Sequence, residues 1–297
     1  MKKRALVISG GGGKGAFAGG MVEFLTQEMK IEYDLFIGTS TGALISTLLC
    51  ADKIDIAKQA FTTTSQSDIF SVDPFKIIKN KYGTSLKLNH FNIIKQFINK
   101  RKTFGESKNL RNLIAKFFKK EYFESIEFQS KEVFISTSNI SKNELEYKKL
   151  QDFSYEDVID WIWISCNYAP FMSVVEKEKN HYVDGGFADF IGINKAIQEG
   201  ATHIDAIVLE TKENLVNHTN FNNPFSSIFR INEFMFNKIK DLEIELAVKD
   251  CQLKKIDLKL YYLPYILTDN SLIFEPEVMK KWWNEGFIYM SNYVFMH

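Results

Sequence analysis

Two glycine-rich segments near the start of the sequence contain residues that could together carry out acyl chemistry. The first is Gly10–Gly15, which follows the apolar run Ala5–Ile8, and the second is Gly38–Gly42, which contains Ser40. Glycine has no Cβ, so a run of glycines can turn its backbone N–H groups toward a ligand. Such donors stabilise the oxyanion of acyl transfer, and a serine between two glycines is typical of a sharp turn that exposes a nucleophile. The two segments therefore predict an oxyanion hole beside a reactive serine.

The first glycine segment also fits patterns found in nucleotide-binding proteins. Gly10–Gly15 satisfies the G-x-G-x-x-G fingerprint of dinucleotide-binding folds. The end of the next predicted strand, however, carries Gly38–Ser40 instead of the acidic residue that binds a ribose. The P-loop pattern fails because Ala16 and Phe17 stand where it requires Lys and Ser or Thr. A nucleotide-binding module with the glycine loop as its phosphate site remains an alternative. The presence of both glycine-rich segments in one chain favours acyl chemistry.

The chain must hold these residues at one edge of a sheet. Strand-like segments at about residues 4–9, 34–38, 132–138 and 204–210 alternate with helical segments. This pattern predicts an α/β fold with three α/β/α layers and a central, mostly parallel sheet. Ser40 would then lie at the carboxyl edge of the sheet, where the sites of α/β proteins form.

The C-terminal part of the chain predicts further elements beyond the motif-bearing core. Residues 214–223 are rich in asparagine and predict a surface loop, and a helical pattern begins at Pro224. A strand-like segment at 256–262 and an aromatic helix at 275–295 follow, and we expect Trp282 and Trp283 in the core. We therefore predict a single domain over residues 1–297, with a motif-bearing core at 4–210 and an extension at 224–297.

Composition indicates a soluble intracellular protein. The chain has 297 residues, no formal net charge, 45% hydrophobic residues and three cysteines, Cys50, Cys166 and Cys251. The cysteines are far apart in sequence, which favours a reducing compartment over a disulfide framework. No apolar stretch approaches the about 20 residues that span a bilayer. We therefore expect a cytoplasmic protein that needs no metal or other cofactor and that could bind a membrane peripherally.

Positive charge is concentrated in one part of the sequence. Residues 76–120 contain thirteen Lys or Arg and one acid, Glu106, with apolar residues at helical spacing. One interpretation is two amphipathic helices packed on the core, which we favour for the segment around Leu110. For Lys76–Lys102 an anionic membrane surface is an equally good partner, because basic residues near such a surface contribute about 1 kcal/mol each. We do not expect nucleic-acid binding.

Three motifs taken together resemble the signatures of the patatin-like phospholipases. Ser9–Gly15, Gly38–Gly42 and Asp184–Gly186 match the family's oxyanion loop, nucleophile elbow and Asp-Gly-Gly/Ala turn. The likeness covers Arg4 to about Leu209 and includes Glu132–Ser138 as the central strand. This sequence departs from the family at Lys14, where arginine is usual, and at Ser165, Cys166 and Tyr168, where the family has Ala, Ser and Ala.

The resemblance implies a lipid acyl hydrolase that cleaves phospholipids or lysophospholipids with a Ser–Asp dyad. Ser40 would be the nucleophile and form an acyl-enzyme, and Asp184 would be the base, which an aspartate can be when burial raises its proton affinity. An esterase or acyltransferase on soluble acyl donors is the alternative. The residues assigned to the oxyanion hole are Gly11, Gly12, Gly13 and Lys14, and the supporting glycines are Gly10, Gly15, Gly38, Gly42, Gly185 and Gly186.

A histidine could also serve as the base, as in most serine hydrolases. The chain order Ser40, Asp184 and then His203, His218 or His297 suits an α/β-hydrolase triad. This alternative fits poorly, because Ser40 follows the second predicted strand, whereas that fold carries its nucleophile several strands into the sheet.

Overall fold

The computed structural model describes residues 2–80, 83–213, 224–268 and 270–296. Eight of the strands in these ranges form one sheet, and the other two form a separate hairpin. The strands are β1 Arg4–Ile8, β2 Leu35–Gly38, β3 Phe75–Asn80, β4 Gly83–Leu88, β5 Glu132–Asn139, β6 Glu144–Lys149, β7 Val175–Lys177, β8 Asn180–Asp184, β9 His203–Thr211 and β10 Asp257–Leu263.

Helices alternate with the strands along the chain. They are α1 Gly15–Glu23, α2 Thr41–Cys50, α3 Ile54–Thr63, α4 Gln66–Ile69, α5 His90–Ile98, α6 Lys108–Phe117, α7 Lys120–Phe123, α8 Ile126–Ser130, α9 Tyr155–Ser165, α10 Ile193–Gln198, α11 Pro224–Lys254 and α12 Pro276–Met296. A π-helical turn, Phe24–Glu28, extends α1.

The sheet has the strand order β10-β9-β1-β2-β5-β8-β7, and β6 pairs with β5. The five strands from β10 to β5 are parallel, β6 and β8 pair antiparallel with β5, and β7 pairs antiparallel with β8. In the register of β1 and β2, Ile8 lies opposite Gly38. The glycine loop after β1 and the turn after β2 therefore leave the sheet side by side, at its carboxyl edge.

Alternation along the central strands builds a separate core on each face of the sheet. On β1, Leu6 and Ile8 face a large cluster that includes α1, α2 and α9, while Ala5 and Val7 face a smaller one that includes α10 and α11. All four side chains are fully buried. Side chains of a strand point to opposite faces in turn, so the helices lie on both faces and the fold has three layers, as the sequence predicts.

The C-terminal extension packs closely on the N-terminal part of the chain. β10 pairs in parallel with β9, and α12 packs along α1. A Cβ at Gly20 would lie 1.9 Å from the carbonyl oxygen of Trp283, and one at Gly286 would lie 2.0 Å from that of Phe17. Trp282 and Trp283 are buried, as predicted.

The basic segment contains the two predicted amphipathic helices, and a hairpin precedes them. The residues at its start form the β3–β4 hairpin, and helices follow as α5 and α6. The apolar face of α6, including Leu110 and Ile114, is buried in the core, whereas Phe91 and Phe97 of α5 are 75% and 64% exposed. Only α6 is therefore an ordinary core helix. The predicted loop at 214–223 lies outside the described residues.

Candidate active site

Ser40 occupies a strained turn between β2 and α2. Its backbone has φ 55° and ψ −123°, in a region that residues with a side chain rarely adopt. Glycine is required on both sides because the chain is crowded: a Cβ at Gly38 would lie 2.5 Å from the Gly42 carbonyl oxygen, and one at Gly42 would lie 2.2 Å from that of Ile8. Such an elbow lifts the serine hydroxyl off the backbone at the end of the sheet.

Asp184 ends β8 and reaches Ser40 from the neighbouring part of the sheet. Its side chain lies beside Ser40, and its Oδ1 accepts the Gly186 N–H at 2.8 Å. The residue is only 4% exposed, and this burial raises the pKa of Asp184 to about 7 although the Gly186 N–H and the Ser40 hydroxyl favour the ionised form. The structure thus brings the predicted nucleophile and base together and leaves the carboxyl group able to accept a proton near neutral pH.

The glycine loop lies directly against the elbow. A Cβ at Gly10 would be 3.3 Å from the Ser40 Cβ, and Gly12 has φ 53°, which favours glycine. Gly13 donates its N–H to the Ser271 carbonyl oxygen at 2.9 Å, and Lys14 donates its N–H to Gly11 at 3.1 Å. Within the described ranges, the N–H groups of Gly11 and Gly12 have no protein acceptor.

Lys14 places a buried positive charge at the loop. Its backbone N–H already donates to Gly11 and so cannot bind an oxyanion. Its side chain is 8% exposed, and its Nζ pairs with Glu210 Oε1 at 2.5 Å, near the end of β9. Because a buried charge needs a partner, Glu210 fixes the lysine side chain beneath the loop.

A cavity of about 1400 Å³ opens above the serine and the aspartate. Its apolar wall comes largely from helices α2 to α6, the segment before α12 and the first turn of α12, and includes Leu44, Phe61, Leu110, Ile114, Leu272 and Met279. Its charged wall comes from the glycine loop, β9 and α11, and includes Lys14, Glu210, Arg230, Glu233 and Lys240. A cavity of this size and character suits a ligand with apolar chains and a polar group.

The three departures from the family pattern at Ser165, Cys166 and Tyr168 all line or support this site. Ser165 Oγ accepts the Ser40 N–H at 3.0 Å, and the Cys166 thiol donates to the Ser40 carbonyl oxygen at 3.1 Å. Tyr168 lines the cavity and stacks on Phe187. The sequence analysis gave these residues no role, although their departure from the family pattern was the signal that could have found them.

The described histidines do not form a triad with Ser40. His203 begins β9 and lies opposite Arg4 and Asp257 in the sheet register, at the amino end away from Ser40. His90 lines the cavity, and His181 contacts Lys102. His218 and His297 lie outside the described residues.

In the described part of the chain, no three His, Cys, Asp or Glu side chains converge as a metal site requires. The helices of that part also include none with the length and apolar character needed to cross a bilayer.

The described α/β sheet, with a serine elbow and a buried aspartate at its carboxyl edge, is the setting of a hydrolase site. The family model for the patatin-like phospholipases matches residues 6–197, so the chain belongs to that family, whose members are lipid acyl hydrolases. Among solved structures, VipD from Legionella pneumophila matches with a TM-score of 0.49 and 13% identity, over 100% of this chain and 67% of VipD. No curated protein matches the sequence.

Proposed function

We propose that the protein hydrolyses the carboxylic esters of membrane phospholipids or lysophospholipids, with Ser40 as nucleophile and Asp184 as base. The observation that carries this proposal is the buried Asp184 carboxyl group beside the Ser40 elbow in one cavity, where burial raises the pKa of the carboxyl to about 7. A serine hydroxyl is a poor nucleophile until a neighbouring group takes its proton. Asp184 is suited to that role because its proton affinity is close to the working pH of an ordinary enzyme.

The reaction has two steps. Ser40 Oγ attacks the ester carbonyl carbon, its proton passes to Asp184, and the alcohol leaves with that proton as the acyl-enzyme forms. Water then attacks the acyl-enzyme, Asp184 takes and returns a proton, and the fatty acid leaves. We assign the oxyanion to the N–H groups of Gly11 and Gly12, because Gly13 donates to Ser271 and Lys14 donates to Gly11. Gly13 and Lys14 then shape the loop.

The cavity favours a lipid over a nucleotide or a small soluble ester. Apolar side chains such as Leu110 and Ile114 would contact acyl chains, and the charged side chains of β9 and α11 would face the polar group. The pairing of β10 with β9 and the packing of α12 on α1 support the proposal that residues 1–297 act as one domain.

We also propose that α5 docks the enzyme on an anionic bilayer from the cytoplasmic side. Four apolar side chains of this short helix are more than half exposed: Phe91, Ile94, Phe97 and Ile98. Lys95 and Lys100 lie among them and are exposed. Apolar insertion combined with positive charge is the chemistry that binds an anionic lipid surface. His90, at the start of α5, lines the cavity, so docking there would bring the lipid near the cavity wall.

Mass spectrometry of phospholipid vesicles incubated with the purified protein tests the reaction directly. We expect fatty acid and lysophospholipid from the wild type, none from Ser40→Ala, and wild-type amounts from the exposed control Ser130→Ala. A variant with His203, His218 and His297 all replaced should keep most of its activity. If the triple-histidine variant folds but is inactive, the site uses a triad with a histidine base and not the Ser–Asp dyad.

A further inference from the structure

Behind the Asp184 turn lies a cluster of acidic and phenolic side chains that the proposed reaction does not use. Tyr147 of β6 donates its hydroxyl hydrogen to Asp189 Oδ2, and Asp189 lies beside Glu243 of α11. Asp189 is 8% exposed. Glu243 lies beyond residues 6–197, which the family model matches, so the C-terminal extension supplies one member of the cluster.

Glu243 is bonded to the loop that follows Asp184. Its Oε2 accepts the Phe190 N–H at 2.9 Å and the Ile191 N–H at 3.3 Å. Burying two backbone donors without an acceptor would be costly, so Glu243 determines where this loop can lie.

The same loop is bonded to both glycine segments of the site. The Phe190 carbonyl oxygen accepts the N–H of Gly10, the residue before Gly11, at 3.4 Å. The Asp189 carbonyl oxygen accepts the hydroxyl of Thr39, the residue before Ser40, at 3.4 Å. A displacement of the loop would therefore move both the oxyanion loop and the nucleophile elbow.

We propose that Glu243 is a positioning residue for hydrolysis, which holds the Asp189–Ile191 loop against Gly10 and Thr39 through its bonds to the backbone N–H groups of Phe190 and Ile191. The inference rests on the proposed roles of Ser40 and Gly11. Glu243 does not touch the substrate, and it acts on the geometry of the residues that do.

The two neighbouring carboxyl groups favour a shared proton. Burial raises the pKa of both acids, and the charge of Asp189 raises that of Glu243 further. Ionising both neighbouring carboxyl groups is unfavourable, so Glu243 is the member of the pair that favours the protonated form. In the described part of the chain, Tyr147 also contacts Asp189, and the Nζ of Lys195 lies 5.7 Å from the Tyr147 ring centre and pairs with Glu199.

The test compares Glu243→Ala with Glu243→Gln and with the control Glu245→Ala. Glutamine keeps an oxygen for the two backbone N–H groups and a donor for Asp189, whereas alanine removes both. Glu245 lies on the same helix with a side chain that is 61% exposed, and it contacts Lys249. We measure kcat and KM on a short soluble ester and labelling by a fluorophosphonate, with circular dichroism to verify folding.

We expect Glu243→Ala to lower kcat about 100-fold with little change in KM, as small misplacements of catalytic groups do, while Glu243→Gln and Glu245→Ala stay near the wild type. The wild type should also lose kcat at alkaline pH, where Glu243 gives up its proton, and Glu243→Gln should not. A folded Glu243→Ala variant with wild-type kcat, or a Glu243→Gln variant that is as weak, would overturn the inference. If Glu243→Ala does not fold, the comparison of the wild type with Glu243→Gln decides. An equal loss of kcat at alkaline pH in both proteins would overturn the role of Glu243. Activity in Ser40→Ala would instead refute the proposed function.

Discussion

Replacing Asp184 by asparagine should have two opposite effects, a loss of activity and a gain in stability. Asparagine has nearly the same shape and can still accept the Gly186 N–H that Asp184 Oδ1 now accepts at 2.8 Å. It cannot take a proton from Ser40. It also carries no charge, so it avoids the cost of ionising a carboxyl group that is 4% exposed.

The size of the stability change follows from the pKa of Asp184. Burial raises that pKa from 3.8 to about 7, a difference equivalent to about 4 kcal/mol between the charged and neutral forms. Between these values the folded state binds the proton more tightly than the unfolded state, so the wild type loses stability as the pH rises from about 4 to about 7. Asp184→Asn should show no such loss. It should be more stable than the wild type by up to about 4 kcal/mol at pH 8 and equally stable below about pH 4.

Urea denaturation of both proteins across this pH range measures the difference in unfolding free energy. The activity assay is kcat/KM on a short soluble ester, which should rise about 100-fold from pH 5 to pH 8 in the wild type as Asp184 ionises. His90 lines the same cavity, and histidine is the side chain whose charge usually changes near neutral pH. His90→Gln is therefore the matched control, and it should keep the wild-type pH profile.

Two results would refute this reasoning. A wild-type pH profile with its midpoint near 4 would mean that burial does not raise the proton affinity of the base. The second result concerns the stability gain of Asp184→Asn, which is its unfolding free energy minus that of the wild type. If the variant is inactive and this gain is the same at pH 8 as at pH 4, ionising the buried carboxyl group has no free-energy cost.

Three further predictions concern the nucleophile, the docking surface and the packing of the extension. Ser40→Ala should lose all labelling by a fluorophosphonate on a gel while keeping the wild-type circular dichroism spectrum, and any remaining label would identify a different nucleophile. Lys95→Glu combined with Lys100→Glu should weaken sedimentation with anionic vesicles and activity on phospholipid without changing activity on a soluble ester, and Lys280→Glu with Lys281→Glu is the control of equal charge change. Raised salt should reproduce the effect in the wild type, since the Debye length falls to about 3 Å at 1 M. Gly20→Ala should lower the free energy of unfolding by about 3 kcal/mol or more in urea denaturation, because its Cβ would lie 1.9 Å from the Trp283 carbonyl oxygen; an unchanged midpoint would contradict the close contact of α1 with α12.

The sequence was sufficient to predict the parts of the molecule where backbone geometry requires particular residue types. Glycines at 38 and 42 are required by contacts of 2.5 Å and 2.2 Å with neighbouring backbone atoms, and such positions stand out in a sequence. The parallel strands are likewise visible as short apolar runs, because both of their faces are buried. These two signals were sufficient to predict the α/β fold and to select Ser40.

Contacts between residues far apart in sequence left no such signal. The bond from Gly13 to Ser271 and the bonds from Glu243 to Phe190 and Ile191 join the family core to the extension, and no local pattern marks them. The apolar spacing of α5 resembles that of α6, yet Phe91 is exposed and Leu110 is buried. Periodicity identifies an amphipathic helix, but it does not determine whether its apolar face meets protein or solvent.

The packing of α12 on α1 has a consequence for the order in which the enzyme becomes active during synthesis. The glycine loop lies between β1 and α1, and α1 is covered by α12, which is translated after nearly all of the rest of the described chain. Domains generally fold as units as the chain emerges from the ribosome. A nascent chain therefore carries Ser40 and the glycine loop long before α12 and the Ser271 carbonyl reach them. We therefore expect the described arrangement of the glycine loop to form only after α12 has been translated.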